Sequence, residues 1–164
     1  PYAQQPLLLG NLGDHSFANW STRGGTIFNE VAVSRGAAFG DLDNDGDLDV
    51  VVNNIDAAPW VLIGQANPSA TNWFGVDLIE HDRAAHGARA GLLLDNGRTI
   101  WRRVRVDGSY AAANDPRLQF AVSDDASAVE LLIQWSDGSS TKHSIETLIA
   151  GQYVQIRQAD RVQP

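Results

Sequence analysis

An all-β protein in two units is what the sequence predicts, and three observations carry that prediction. Period-two alternation of apolar and polar residues recurs through the second half, turn signals separate the alternating runs, and the 3.6-residue period of an amphipathic helix is nearly absent. At 164 residues the chain can bury roughly 70% of its unfolded surface, enough for a core of its own. Hydrophobic residues make up 43% and charged residues 20%, which is the composition of a folded globular protein and not of a disordered one.

In chain order, Ala37-Ala38-Phe39-Gly40 lacks a helical pattern, and the β-branched run Val50-Val51-Val52 predicts a strand. Gln65 to Thr71 is poor in large apolar residues and broken by Pro68, so it marks a boundary between units at 1–64 and 72–157. In the second unit Val104 and Val106 alternate with Arg103 and Arg105, and Val154 and Ile156 with Gln155 and Arg157, each predicting a half-buried antiparallel strand. The cleanest run is Val129 to Trp135, with Val129, Leu131, Ile133 and Trp135 on one face and Glu130, Leu132 and Gln134 on the other. Asp95-Asn96-Gly97, Asp107-Gly108 and Asp137-Gly138 read as tight hairpin turns, because Asn and Asp tolerate positive φ and Gly accepts it freely. Residues 158–164 form a polar tail, expected to fray or to touch another chain.

Twelve Lys and Arg stand against 20 Asp and Glu, and the formal charge of −8 disfavours a nucleic acid partner and favours a cation. No apolar run approaches the roughly 20 residues of a membrane helix, so no membrane insertion is expected. Without Cys there are no disulfides, thiolate zinc sites or thiol nucleophiles. A chain that opens at Pro1 and contains no Met reads as a processed product or as part of a longer protein, and a cleaved secretory signal would fit.

The strongest motif is Gly40-Asp41-Leu42-Asp43-Asn44-Asp45-Gly46-Asp47-Leu48-Asp49, with aspartates at every second position from 41 to 49. Such a density of like charge repels itself unless a hard cation intervenes, and Ca2+ takes about six to eight oxygen ligands from carboxylates, carbonyls and water. On this template Asp41, Asp43, Asp45 and Asp49 offer side chains, Asp47 offers its backbone carbonyl, and Gly46 makes the sharp turn. Mg2+ fits less well, since it keeps several waters in a small octahedral shell. An EF-hand requires a bidentate Glu at loop position twelve, where this chain has Val52, and the flanking residues predict strands instead of helices. A dockerin-like loop fails in the same way.

Arg35-Gly36-Ala37-Ala38-Phe39-Gly40 followed by this loop and Val50-Val51-Val52-Asn53-Asn54 closely resembles the FG-GAP (VCBS-like) repeat of integrin-type β-propellers. That resemblance implies a calcium loop between two strands of a blade. The second unit resembles the ASPIC/UnbV domain through His86-Gly87-Ala88-Arg89, Gly108-Ser109-Tyr110, Asn114 to Phe120, and Val129 to Trp135 with Asp137-Gly138. It departs from that pattern at Trp135-Ser136-Asp137-Gly138 and at Phe120-Ala121-Val122-Ser123. The two resemblances together imply a partial propeller-like blade followed by a small antiparallel, sandwich-like β domain. Gln5 to Phe28 would be the outer strands of a preceding blade. A propeller needs about four to eight blades, so a lone loop leaves sheet edges to be covered by the second domain, by the rest of a longer protein or by another copy.

No catalytic constellation is expected. His15, His81, His86 and His143 lack metal-ligand spacing, no nucleophile elbow frames Ser109 for Asp107 and His143, and Asp124-Asp125 reads as a solvated turn. Among the Trp residues at 20, 60, 73, 101 and 135, Trp135 is expected in the core and Trp101, before Arg102-Arg103, at the surface. The expected function is that of a non-enzymatic, calcium-stabilised extracellular or cell-surface module for adhesion, surface architecture or self-assembly. It includes a fibre subunit polymerising head to tail through an open edge, with Pro1 to Leu9 as the donor strand. The alternative is a carbohydrate-binding or accessory module, with a glycan or a surface protein as partner and exposed Trp as the sugar contact.

Overall fold

The computed structural model describes residues 2–65 and 73–159, and its regular elements are strands and short 3-10 turns. The boundary segment, apart from Gln65, and the last residues of the tail lie outside the described residues. The first unit opens with an antiparallel pair, β1 (Leu9–Asn11) and β2 (Phe17–Asn19). Trp20 covers this ribbon so closely that a Cβ at Gly10 would sit 2.1 Å from the indole. Two 3-10 turns, Ser21–Arg23 and Thr26–Asn29, lead into an antiparallel sheet of β3 (Ser34–Gly40), β4 (Asp49–Asn54) and β5 (Trp60–Leu62), in the order β3-β4-β5. Val50-Val51-Val52 forms the middle strand, as its β-branched side chains predict.

The second unit contains β6 (Trp73–Glu80), β7 (Arg83–Ala84), β8 (Arg89–Leu94), β9 (Thr99–Arg103), β10 (Leu118–Ala121), β11 (Ala128–Gln134), β12 (Ser140–Ser144) and β13 (Tyr153–Arg157). They form two sheets, β10-β6-β13 with β7 beside β6, and β12-β11-β8-β9. The inner faces meet in one core. Val76 and Leu78 of β6, Phe120 of β10, Leu92 of β8, and Leu131 and Ile133 of β11 are all essentially solvent-free there. The fold is all-β with several small sheets, and among the described residues none closes into a barrel.

Four local expectations are corrected. The strand expected through Val104 and Val106 is not formed, because β9 ends at Arg103. Tyr153–Arg157 pairs with β6 in parallel, not antiparallel. Alternation reports which face of a strand is buried but not the direction of its neighbour, and here β7 to β12 intervene between the partners. Val129 is 46% exposed, because the ladder between β11 and β8 shifts register between Ala128 and Glu130 and takes Val129 out of the inward row. Asp107-Gly108 is not a hairpin turn: β9 ends at Arg103, β10 begins at Leu118, and Gly108 does not adopt positive φ. Its lack of a side chain instead admits the Asn114 amide, 2.5 Å from where a Cβ would be. The other two turns behave as predicted, with Gly97 at φ 81° and Gly138 at φ 84°. Gln158, at the start of the expected tail, is tied to the second unit through Ile79 O (2.9 Å) and Ser139 Oγ (3.1 Å).

The long connection from β9 to β10 has its own task. Along β3, the Ala37 N–H donates to Ser109 Oγ (3.1 Å), the Phe39 N–H donates to Asn114 Oδ1 (3.0 Å), and the Asp115 N–H donates to Phe39 O (2.8 Å). Gly36 and Gly40 permit this approach, since a Cβ would lie 2.6 Å from Tyr110 O at the first and 2.8 Å from the Asp115 Cβ at the second. One edge of the first sheet is therefore capped by the second unit. At the other edge β5 has a strand partner on one side only, among the described residues.

Candidate metal centre

The acidic loop joins β3 to β4 as a long hairpin connection. Asn44 at φ 62° and Gly46 at φ 93° turn the chain back on itself. Gly46 is required twice, because a Cβ there would also sit 2.3 Å from the Trp73 indole. The loop thus rests on the first residue of β6.

Of the five aspartates the sequence singles out, the structure brings three together: Asp41, Asp43 and Asp49 each offer a carboxylate oxygen, all within 4.8 Å of one another. Asp41 and Asp49 are 2% and 1% exposed, so their charges face the protein and not bulk water. Asp45 and Asp47 stand outside this group. The Asp45 carboxylate accepts the Asp47 N–H at 2.8 Å, an Asx-type turn that shapes the loop locally.

Each buried carboxylate has backbone donors. Asp49 accepts from the Leu42 N–H (2.6 Å) and the Gly64 N–H (2.7 Å), so the first residue of β4 ties the loop's start to the residue beyond β5. Asp41 accepts from the Asp45 N–H (3.2 Å) at one oxygen and from the Gly46 N–H (3.0 Å) at the other. That second oxygen also accepts from Gln119 Nε2 (3.0 Å) and from the Tyr153 hydroxyl (2.9 Å), both supplied by the second unit. Arg117 completes the junction, donating to Asp41 O (2.6 Å) and Asn44 Oδ1 (2.6 Å) while pairing with Asp115 (2.6 Å). Its guanidinium lies 4.0 Å from the centre of the Tyr153 ring, which in turn meets Trp73 edge-on at 5.3 Å.

The electrostatics follow from this packing. Loss of hydration, followed by the charges of Asp45, Asp49 and Asp41, pushes the Asp43 carboxyl above its ordinary value. Burial, followed by donation to Asp41 and the Asp41 charge, raises the Tyr153 phenol well above its usual range. At Asp115 burial works upward, but the hydrogen bonds and charge of Arg117 outweigh it and hold the carboxyl below its ordinary value. The hydrogen bond that Arg117 donates to Asp115 likewise holds its guanidinium in the charged form.

Three convergent carboxylates are a hard-oxygen donor set, which suits a hard divalent cation and not a soft one. One oxygen of Asp41, both of Asp43 and both of Asp49 carry at most one protein donor each, which leaves lone pairs for a cation. The residues fit the ion. A shell of six or more would need further oxygens from the Asp45 side chain, the Asp47 carbonyl or water.

No other group of three or more metal-ligating side chains gathers among the described residues. Ser109 binds the backbone of β3, and His143 pairs with Thr141 Oγ1 at 3.1 Å, so neither joins the other. Trp135 is buried and Trp101 is 40% exposed, as expected. Sequence reasoning missed the roles of Arg117, Gln119 and Tyr153 at the loop. The first two lie inside the segment Asn114 to Phe120 quoted for the second resemblance, while nothing around Tyr153 in the sequence marks it.

No curated protein matches this chain. The family model for ASPIC and UnbV matches residues 79–163, from within β6 through β13, and contains Arg117, Gln119 and Tyr153. With more than half of its length matched in this way, the chain belongs to the ASPIC and UnbV family.

Proposed function

We propose that this chain is a non-enzymatic, calcium-stabilised β module of the cell exterior that works in adhesion, surface architecture or self-assembly. In this reading residues 1–64 are an FG-GAP-type repeat, and Asp41, Asp43 and Asp49, joined by Asp45 and the Asp47 carbonyl, hold Ca2+. The ion relieves the repulsion within the loop and stiffens the hairpin on which β4 and β5 depend.

One observation carries the assembly part. Among the described residues, no apolar side chain of the first unit is buried, whereas Leu7, Leu9, Phe17, Val61 and Ile63 are 47–63% exposed. A sheet with an unpaired edge and uncovered apolar residues favours association with another β surface. That surface is another copy of the chain, with the segment Pro1 to Leu9 as the donor to β5, or a further β unit of a longer protein.

Size-exclusion chromatography and electron microscopy across a wide concentration range, in millimolar Ca2+ and in EDTA, test this reading. Calcium-dependent oligomers or fibres are expected. A strictly monomeric species at all concentrations would overturn self-assembly. Identical melting with and without chelator, together with no heat of Ca2+ binding, would overturn the metal assignment.

A further inference from the structure

We infer that the outward face of β9 and its extension form a binding ribbon for an anionic polysaccharide, independent of the acidic loop. Arg89 of β8 lies directly opposite Arg103 of β9, and Gly91 directly opposite Trp101. Ala90 and Leu92 point into the core, so Arg89, Gly91, Trp101 and Arg103 share the outer face. Beyond the strand, Val104 is buried and Arg105 is exposed, and Arg105 lines the same cleft as Arg103.

Like charges placed directly opposite one another destabilise a sheet unless something neutralises them. Arg89 finds relief by donating to Gln134 Oε1 (2.5 Å) and lying 5.1 Å from the Trp101 ring centre. Arg103 and Arg105 have no such relief, with neither a hydrogen-bond nor an ion-pair partner among the described residues. The carboxylate on this face, Glu130, is taken by Lys142 at 2.9 Å. Two uncompensated guanidiniums beside a third, in a chain of net charge −8, mark a place where an external anion would bind.

The ribbon continues into a cleft of about 420 Å³ that Arg102, Arg103, Arg105 and Arg117 line together. Of the carboxylates of that cleft, Asp115 is paired with Arg117, and Asp41 accepts from Gln119 and Tyr153. Trp101 selects among anions. Its indole lies close over Gly91, 2.9 Å from where a Cβ would be, and remains 40% exposed, offering a flat apolar surface between cations. A sugar ring bearing a carboxylate or sulfate matches both features, stacking its C–H face on the indole while its anion takes a guanidinium. An acidic peptide would use the charges and leave the indole idle. A nucleic acid would also use both, and the net negative charge opposes every polyanion alike, so the single-stranded DNA probe decides between them.

The test is affinity electrophoresis and calorimetry of the whole chain in EDTA, at two salt concentrations. The probes are dextran sulfate, a polyuronate, neutral dextran, polyglutamate and single-stranded DNA. Binding to dextran sulfate or the polyuronate, weakened by salt and absent for neutral dextran, is expected. The sulfated and carboxylated probes separate the two sources of anion. The double variant Arg103→Gln/Arg105→Gln should lose about tenfold or more, one guanidinium–anion contact being worth about a factor of ten. Trp101→Ala should lose several-fold and Arg157→Gln nothing, with melting curves confirming that each variant is folded. Equal binding by wild type and the double variant, no binding at low salt, or equally tight capture of polyglutamate or DNA that ignores Trp101→Ala would overturn the proposal. Because EDTA removes Ca2+, the outcome does not depend on the metal reading.

Discussion

Both units are β, yet their interiors are built from opposite materials. Between residues 2 and 65 the buried positions are Gly10, Gly36, Asp41, Asp49 and Asn54, whereas in the second unit they are mainly Val, Leu, Ile, Phe and Trp. The second unit is held by removal of hydrocarbon from water, a nondirectional force that needs only the right face of each strand to be apolar. The first has its protected centre in carboxylates and an amide, which are costly to bury unless every lone pair finds a donor or a cation. Its donors come from the loop, from Gly64 beyond β5 and, for Asp41, from the neighbouring unit. The small sheet is therefore organised by polar ties, part of which its neighbour supplies.

That contrast can be broken at several points. Phe120→Ala removes a fully buried ring from the hydrocarbon core and should cost about 3–5 kcal/mol in urea unfolding. A loss below about 1 kcal/mol would mean that the second unit is not organised as described. Arg117→Ala deletes the charged bridge to Asp41 O, Asn44 and Asp115, with an expected cost of about 1.5–3 kcal/mol for hydrogen bonds to a charged group. If the units are coupled through it, proteolysis should then cut the first unit before the second; unchanged cleavage would separate them.

Calcium removal comes next. Extracellular modules bind with Kd of about 10⁻⁴ to 10⁻³ M, so millimolar Ca2+ should add about 0.4–1.4 kcal/mol by mass action. EDTA should lower Tm accordingly, and Asp45→Ala should abolish that sensitivity. Retention of full sensitivity in this variant would restrict the ligands to the three gathered carboxylates.

Acid has a smaller effect, because solvent still reaches and screens this partly exposed pair. The Asp115 carboxyl is held below its unfolded value of 3.8, so its contribution is complete above that pH and is lost as pH falls through the lower folded value. Asp115→Asn should flatten the acid limb of Tm below about pH 4; an unchanged limb would show that Arg117 does not depend on this partner. Smallest of all, Val61→Thr on the open edge should leave monomer stability within about 0.5 kcal/mol, and its effect should appear only in self-association.

Much of the second unit was legible because its strands obey the alternation rule: Leu131, Ile133 and Trp135 were placed correctly by period two alone. Alternation could not reveal the bulge that exposes Val129 or the parallel partner of β13, because both depend on a neighbouring strand. The acidic loop was legible as a motif, and Gly46 as its turn. Which aspartates converge was less so, since Asp45 alternates like the others but turns to the Asp47 N–H.

By itself, then, the sequence determined the β character, the division into an acidic hairpin and an apolar sandwich-like unit, and the hard-oxygen chemistry of the loop. These follow from composition and from spacing over a few residues, where backbone geometry leaves little choice. Tertiary structure alone decided that the segment from Ser109 to Asp115 caps β3, that Tyr153 and Gln119 reach Asp41 from the far end of the chain, and that Arg89 faces Arg103. Such contacts join residues dozens of positions apart, and they exist only once two hydrophobic faces have closed on each other and fixed the register of every strand.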